Sequence, residues 1–168
     1  MFAGSQQQLF AEYNRWMNEK LYAAAAQLAD EQRKADLGAF FKSIHATFEH
    51  LLAVDNVWLR RFRGETASPS RAGGGFAHPD FEQLRSLRVA CDQQIVAWAD
   101  TLTQAWLSEP YTWHSVVLAR TFSLPGFAVA SQFFNHQTHH RGQITTLLMQ
   151  LGVDPGVTDI PLLPALDA

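Results

Sequence analysis

The sequence predicts an all-α protein, a four-helix bundle with a long crossover between its third and fourth helices. Apolar residues recur every three or four positions along four long segments, as they do on the buried face of a helix. One stretch before the last segment favours extended structure instead. Four long helices with one long connection typically surround a shared core. We therefore expect any functional site to be built from inward-facing side chains.

Capping residues and helix breakers set the boundaries of these elements. Ser5 suits the N-cap of the first helix. Pro125 suits the first turn of the last helix, and Gly152 suits the C-terminal end of that helix. The predicted helices cover residues 5–29, 39–63, 80–107 and 125–152, with a polar connection at 30–38, a glycine-rich loop at 64–79, an extended stretch at 111–124 and a mostly irregular tail at 153–168.

Two of the connections leave alternatives open. The loop at 64–79 contains three consecutive glycines, which predicts either a mobile connection or a flap over a site, since long loops in compact domains are often functional. The stretch at 111–124 is rich in β-branched and aromatic residues and predicts either two short strands or an irregular crossover.

The composition suits one compact domain, and we expect residues 1–168 to form it. The chain is 47% hydrophobic, enough for a sizeable core at this length. No apolar run approaches the roughly 18 residues that span a membrane, and the single cysteine, Cys91, excludes an intrachain disulfide. The net charge of −3 includes no basic stripe. We therefore expect a cytoplasmic protein without a membrane or nucleic-acid partner.

Cys91 falls within the apolar stripe of the third predicted helix. We interpret it as a small core residue rather than a nucleophile, because no basic residue is placed to activate its thiol.

A pair of histidines in the last helix carries the strongest functional signal. His136 and His140 are four residues apart, so a helix presents both imidazoles on one face, one turn apart. On a helical wheel they continue the apolar stripe, whereas His139 lies to one flank. Burying two imidazoles is unfavourable unless each finds a partner, and a metal ion satisfies both.

The second helix offers a third nitrogen. His50 lies near the edge of its apolar arc, while His45 falls on the polar face. Asp55 also lies in the apolar arc, where a carboxylate is costly unless it is paired. Three histidines without a fourth protein ligand suit an open divalent-metal site, with zinc as the first choice and nickel as an alternative.

Other familiar sites are excluded by their spacing. The sequence contains no Glu-x-x-His of di-iron bundles, no His-Glu-x-x-His of zinc proteases, no P-loop and no Gly-x-Ser-x-Gly elbow.

Three segments of the sequence resemble the DinB-like family, also called YfiT-like. They are residues 13–18 in the first helix, residues 50–62 followed by Gly64 in the second, and Asn135-His136-Gln137-Thr138-His139-His140-Arg141-Gly142-Gln143-Ile144 in the last. The resemblance implies an up-down-down-up four-helix bundle, often dimeric, with a metal triad that His50, His136 and His140 match. Glu49 stands where related sequences commonly have asparagine; because it lies on the polar arc, we expect no effect on the metal.

The resemblance also implies a reaction class, because characterised members are thiol transferases and isomerases that use bacillithiol, mycothiol or glutathione. We therefore expect a homodimeric, metal-dependent thiol S-transferase that acts on a small-molecule substrate with a low-molecular-weight thiol. The residues expected to orient the ligands or the substrate are Asp55, Gln143, Asn14 and His139. No catalytic residue is assigned.

Two other functions are compatible with the same histidines. One is a metal-dependent hydrolase in which the ion activates water, although no general base stands beside the ligands. The other is a metal-stabilised, stress-linked binding or dimer module without catalytic activity.

Overall fold

The computed structural model describes residues 4–65 and 76–166, and there the protein is mostly helical with one small two-stranded sheet. The elements are α1 (Gln6–Ala25), α2 (Asp30–Lys34), α3 (Ile44–Phe62), α4 (Phe81–Thr101), α5 (Gln104–Ser108), β1 (Pro110–Ser115), β2 (Arg120–Pro125) and α6 (Gly126–Gln150), followed by 3-10 turns at Ile160–Leu162 and Pro164–Leu166. Most of the predicted glycine-rich loop, residues 66–75, lies outside the described residues, so neither interpretation of it is tested.

Side-chain caps fix where the long helices begin. Gln8 N donates to Ser5 Oγ at 3.3 Å, and Ser5 N donates to Gln8 Oε1 at 2.7 Å, so the two residues form a capping box. Ser43 and Asp80 cap α3 and α4 in the same way, each accepting from a backbone N–H three residues later. The predicted N-cap at Ser5 is confirmed.

The predicted first residue of the second helix was wrong. It was expected from residue 39, but α3 begins at Ile44 because Lys42 adopts a left-handed φ of 67° and Ser43 takes the cap. Phe40 and Phe41 therefore belong to a loop and not to the helix.

Two further boundaries also differ from the prediction. The connection expected at 30–38 contains the short helix α2. The helix expected over 80–107 breaks after Thr101, since Thr103 Oγ1 accepts from Trp106 N at 3.1 Å and so caps the separate helix α5.

The four long helices pack around one apolar core. α1 contacts α4 and α6, and α3 contacts the same two helices. The core includes large side chains from all four: Met17, Leu21, Phe48, Leu51, Leu84, Ile95, Phe133, Ile144 and Leu148. Burying each large apolar side chain contributes about 1.5–3 kcal/mol. This packing holds α3 against α6, the two helices that carry the predicted ligands. None of the described helices combines the length and apolar character of a membrane span.

A β-hairpin forms the connection between α5 and α6. β1 and β2 pair antiparallel from Pro110 opposite Pro125 to Ser115 opposite Arg120, which confirms the first of the two structures that the sequence allowed. The Trp113 and Phe122 rings stack at 5.0 Å and anchor the hairpin. At its tip the side chains of residues 116–118 are exposed.

A buried cluster of polar side chains, which we call the charge network, links the same four helices. Its members are Asn14, Asn18, Asp55, Arg88, Asp92, Gln137 and Arg141, all buried. Arg88 Nη1 donates to Asp55 Oδ2 at 2.7 Å, and Arg88 Nη2 lies 2.8 Å from Asp92 Oδ1. Two carboxylates and two guanidiniums balance each other's charge, so the buried Asp55 has the partner that its position requires.

The amide side chains extend this network to α1 and α6. Asn14 and Asn18 Nδ2 each donate to Asp92 Oδ1 at 2.9 Å, and Gln137 Nε2 donates to Asp55 Oδ1 at 3.1 Å. Arg141 Nη1 donates to Asn14 Oδ1. The network therefore fixes the rotation of α6 relative to the other long helices.

Cys91 is buried in the core, as predicted. Burial raises the pKa of its thiol to about 12, although the charge of Arg88 acts in the opposite direction. Arg88 is close enough to act on the thiol by its charge, but burial has the larger effect and keeps the thiol protonated, so Arg88 does not activate it.

Candidate metal centre

The structure brings His50, His136 and His140 together where α3 packs against α6. One ring nitrogen from each lies within 4.8 Å of the others. His136 Nε2 lies 3.3 Å from His50 Nε2 and 3.1 Å from His140 Nε2. Two rings come from adjacent turns of one helix and the third comes from the facing helix, so the three nitrogens converge on one point. We call these residues the histidine triad.

Two of the three nitrogen–nitrogen distances in the triad fit a tetrahedral metal ion. Zinc–nitrogen bonds of about 2.0–2.1 Å in tetrahedral geometry separate neighbouring ligand nitrogens by roughly 3.3–3.4 Å. The observed Nε2–Nε2 distances of 3.3 and 3.1 Å are close to this value. The nitrogens of the third pair, His50 and His140, lie within 4.8 Å of each other, so the triad could hold a divalent cation, and no fourth histidine, cysteine or carboxylate joins the group among the described residues.

The protonation state of the triad also suits metal binding. Burial, reinforced by the neighbouring imidazoles, lowers the pKa of His50 to about 3 and that of His136 to about 4. Burial lowers the pKa of His140 as well, although its hydrogen bond to Gln143 opposes the shift. All three rings are neutral at pH 7, so each has a nitrogen lone pair for a cation.

Gln143 sets the tautomer of His140. Gln143 Oε1 lies 2.7 Å from His140 Nδ1, and because a carbonyl oxygen only accepts, Nδ1 carries the proton. The lone pair of Nε2 is then directed at the triad. His136 Nδ1 is buried and lacks a hydrogen-bond partner among the described residues. The His136 ring therefore lacks the kind of orienting partner that Gln143 gives to His140.

An aromatic side chain that the sequence assigned to a helix covers the triad. The Phe41 ring stacks on the His50 ring with a centroid distance of 3.9 Å and lies 5.5 Å from the His140 ring. The left-handed backbone at Lys42 turns this residue towards the histidines. A flat apolar ring beside the nitrogens limits access of water from that side.

Three other residues singled out from the sequence have different surroundings. Asp55 and Asn14 belong to the charge network, with no direct hydrogen bond to a triad ring among the described contacts. Asp55 still acts on His140 through its charge, which favours the protonated ring. His139 is exposed, with its ring 4.8 Å from the His140 ring and its Nε2 3.4 Å from Gln143 Nε2.

His45 is not on a solvated face, contrary to the wheel. It is 0% exposed, and its Nε2 lies 2.8 Å from the carbonyl oxygen of His78. The chain at 76–78 covers this side of α3, and Glu49 accepts a hydrogen bond from His78 N there. Glu49 therefore holds the covering segment, on a different side of the helix from His50.

Sequence reasoning missed Arg88, Asp92, Gln137 and Arg141, the residues that hold α6 in place. A signal existed for two of them. Arg88 and Asp92 are four residues apart and share the helical spacing of the buried Leu84, Cys91 and Ile95. A wheel of α4 therefore places both charges within its apolar face. A buried arginine beside a buried aspartate in this arrangement indicates an internal ion pair.

Comparison with known proteins agrees with the residues described above. A model of the DinB family matches residues 1–167. The chain is also similar to Protein DinB of Bacillus subtilis (strain 168), with 25% identity over 159 residues that cover 90% of this chain and 89% of that protein. The chain belongs to the DinB family.

Proposed function

We propose that this DinB family member is a metal-dependent thiol S-transferase, with His50, His136 and His140 as the metal ligands. The observation that carries the proposal is the convergence of three neutral Nε2 atoms with no fourth histidine, cysteine or carboxylate beside them in the described part of the chain. Catalytic zinc sites commonly have three protein ligands and one open position, whereas structural sites have four.

Zinc is the proposed ion, with nickel as the alternative, because neutral imidazole suits both. When bound, a divalent cation lowers the pKa of a thiol or water molecule beside it, so that a nucleophile is available at neutral pH.

The chain's own residues supply orientation and shielding. Gln143 holds the proton of His140 on Nδ1 and fixes the ring plane. Phe41 covers the His50 ring and keeps one side of the triad apolar. Among the described residues, no carboxylate hydrogen-bonds to a triad ring, so no general base for a water molecule is evident. A thiol has an ordinary pKa of about 8.5, far below that of water, so it needs less help from an ion or a base, and this favours a thiol over water as the nucleophile.

A transfer assay tests this function directly. The zinc-loaded protein is mixed with bacillithiol, mycothiol or glutathione and the electrophile 1-chloro-2,4-dinitrobenzene. We expect a thiol-dependent rate that His136→Ala abolishes and that His139→Ala, which changes an exposed neighbour on the same helix, preserves. Equal rates for wild type and His136→Ala with every thiol would refute the proposal.

Two other outcomes would identify the alternative functions. Ester or amide turnover without any thiol would support the hydrolase. Stability that collapses on chelation, with no turnover and no small-molecule binding, would support the metal-stabilised binding module.

We also propose that the four long helices form the expected four-helix bundle, that residues 1–168 are one domain, and that the protein is a homodimer. The shared core supports the first two statements. The exposed Val116 and Val117 at the hairpin tip support the third, since exposed apolar side chains in series often mark an interface. Light scattering of wild type and Val117→Lys tests the dimer: a monomeric wild type would refute it.

A further inference from the structure

An open cleft lies next to the histidine triad, between the loop before α3 and the C-terminal half of α6. Its volume is about 250 Å³. One wall is the chain at 37–40, which ends in Phe40, and the other consists of Gln143, Thr146, Leu147 and Gln150. No charged side chain is among these lining residues, so the cleft suits an uncharged group.

Each wall of the cleft is next to a side chain that contacts a triad ring. Gln143 lines the cleft and contacts His140 Nδ1 at 2.7 Å. Phe40 lines it too, and the next residue, Phe41, stacks on the His50 ring. Gln143 and Phe41 are therefore the two side chains that stand between the cleft and the triad rings.

Phe40 has an exposure that the fold does not explain. It is 83% exposed, whereas the neighbouring Phe41 is half-buried against the histidines. The Phe40 ring meets the Phe41 ring edge to face at 4.8 Å, which holds it at the mouth of the cleft. An exposed aromatic ring gains free energy when an apolar ligand covers it.

We propose that this cleft binds the uncharged, apolar part of the substrate whose sulfur reacts at the triad. The inference rests on the proposed function, because it places the reacting sulfur at the histidines. Phe40 and the half-buried Leu37 provide the apolar contact, and the amides of Gln143 and Gln150 provide hydrogen bonds for polar groups on an uncharged chain. The cleft thereby makes Phe40 and Thr146 specificity-determining residues, and it selects thiols with an alkyl or aryl body over thiols with charged groups in that part.

A cobalt-substituted protein tests the cleft without measuring turnover. Co²⁺ replaces zinc in imidazole sites and is visible by absorption. Ethanethiol, propanethiol, butanethiol and pentanethiol are titrated separately, and the sulfur-to-cobalt absorption gives each dissociation constant. If every added methylene is buried in the cleft, affinity rises by up to about fourfold per methylene, the equivalent of about 0.8 kcal/mol.

Two substitutions separate the cleft from the ion, each with a matched control. Thr146→Phe fills the cleft and is expected to flatten the dependence on chain length while ethanethiol still binds. Its control is Ser86→Phe. Ser86 is an exposed residue on α4 whose hydroxyl, like that of Thr146, donates to the backbone carbonyl four residues earlier. Phe40→Ala is expected to weaken pentanethiol binding several-fold more than ethanethiol binding. Its control is Phe127→Ala, an exposed phenylalanine (55%) at the start of α6.

The outcomes distinguish the cleft from the proposed function. Cobalt absorption with affinities that do not depend on chain length, or with equal effects of Thr146→Phe and Ser86→Phe, would overturn the cleft and leave the triad intact. Absence of cobalt absorption in the wild type would overturn the proposed function and the cleft together. Binding that strengthens with chain length in the wild type and both controls, but not in Thr146→Phe, would support the cleft.

Discussion

The charge network and the histidine triad are two clusters of polar side chains that share helices α3 and α6, and they differ in whether they contain opposite charges. The network contains both carboxylates and guanidiniums, so its charges pair within it, although Asn18 Oδ1, Arg88 Nε and Gln137 Oε1 lack a hydrogen-bond partner among the described residues. The triad contains only imidazoles, whose converging Nε2 atoms are lone-pair donors once Gln143 has fixed the tautomer of His140. A cluster of opposite charges holds helices together by itself, while a cluster of lone pairs alone is completed by a cation.

Removing one carboxylate from the network gives the largest expected effect. Asp55→Ala leaves the guanidinium of Arg88 buried without its 2.7 Å partner, which costs about 3–5 kcal/mol for a broken buried pair. Urea unfolding in the presence of chelator measures this loss without a contribution from metal.

The matched control breaks an exposed pair on the same helix as Arg88. Glu82→Ala removes the 3.7 Å contact with Arg85 and should change the free energy of unfolding by less than about 1 kcal/mol. Equal losses for the two variants would show that the network does not hold the fold.

Removing one histidine should instead eliminate metal binding and leave the metal-free fold largely intact. We expect about one zinc per chain in the wild type and none in His136→Ala, by elemental analysis. At a zinc concentration 100 times the dissociation constant, the wild type should gain about 2.7 kcal/mol of unfolding free energy that the variant lacks.

His139→Ala and His45→Ala are the controls for the identity of the ligands. Full metal content in both is expected, since one ring is exposed and the other is bound to the His78 carbonyl. Unchanged metal content in His50→Ala would contradict the triad and move the third ligand elsewhere.

Gln143 tests whether a hydrogen-bond partner strengthens metal binding by the triad. It supplies the only side-chain amide contact to a triad ring among the described residues. Gln143→Ala should weaken zinc affinity by about 10–100-fold, as is usual when the partner of a ligand histidine is removed. Gln143→Glu retains an acceptor and should restore most of the affinity. Competition with a chromophoric chelator measures both; an equal loss in the two variants would exclude the tautomer argument.

The two clusters should respond to acid in opposite directions. Burial raises the pKa of Asp92 from 3.8 to about 6, so the folded chain takes up this proton before the unfolded chain does. The protonation of Asp92 therefore makes folding more favourable as the pH falls below 6. It raises the free energy of unfolding by about 1 kcal/mol per pH unit. The triad histidines have lowered pKa values. They stay neutral while the unfolded chain is protonated below about pH 6.5, and this disfavours folding.

Unfolding of metal-free protein at pH 7 and pH 5 separates these contributions. Asp92→Asn should lose more stability on acidification than the wild type, and His136→Ala should lose less. The reverse order for either variant would mean that its cluster does not titrate as described.

Much of the fold was predictable because it depends on local pattern. Apolar spacing located four long helices, Ser5 marked the first N-cap, and the β-branched stretch before α6 forms a hairpin. The start of α3 was not predictable in this way, because it depends on the left-handed turn at Lys42 and not on the apolar pattern. For the same reason Phe41 was assigned to a helix face instead of to the histidine rings.

The sequence by itself determined that His136 and His140 share one helix face, because a fixed helical period decides which side chains are neighbours. Only the tertiary structure decided which other groups meet them. A wheel shows one helix, so it misplaced His45, which a distant segment covers, and it did not reveal that Arg88 pairs with Asp55 across two helices. Partners of buried polar groups depend on packing between segments far apart in the chain, and that packing pairs opposite charges in one cluster and brings only imidazoles together in the other.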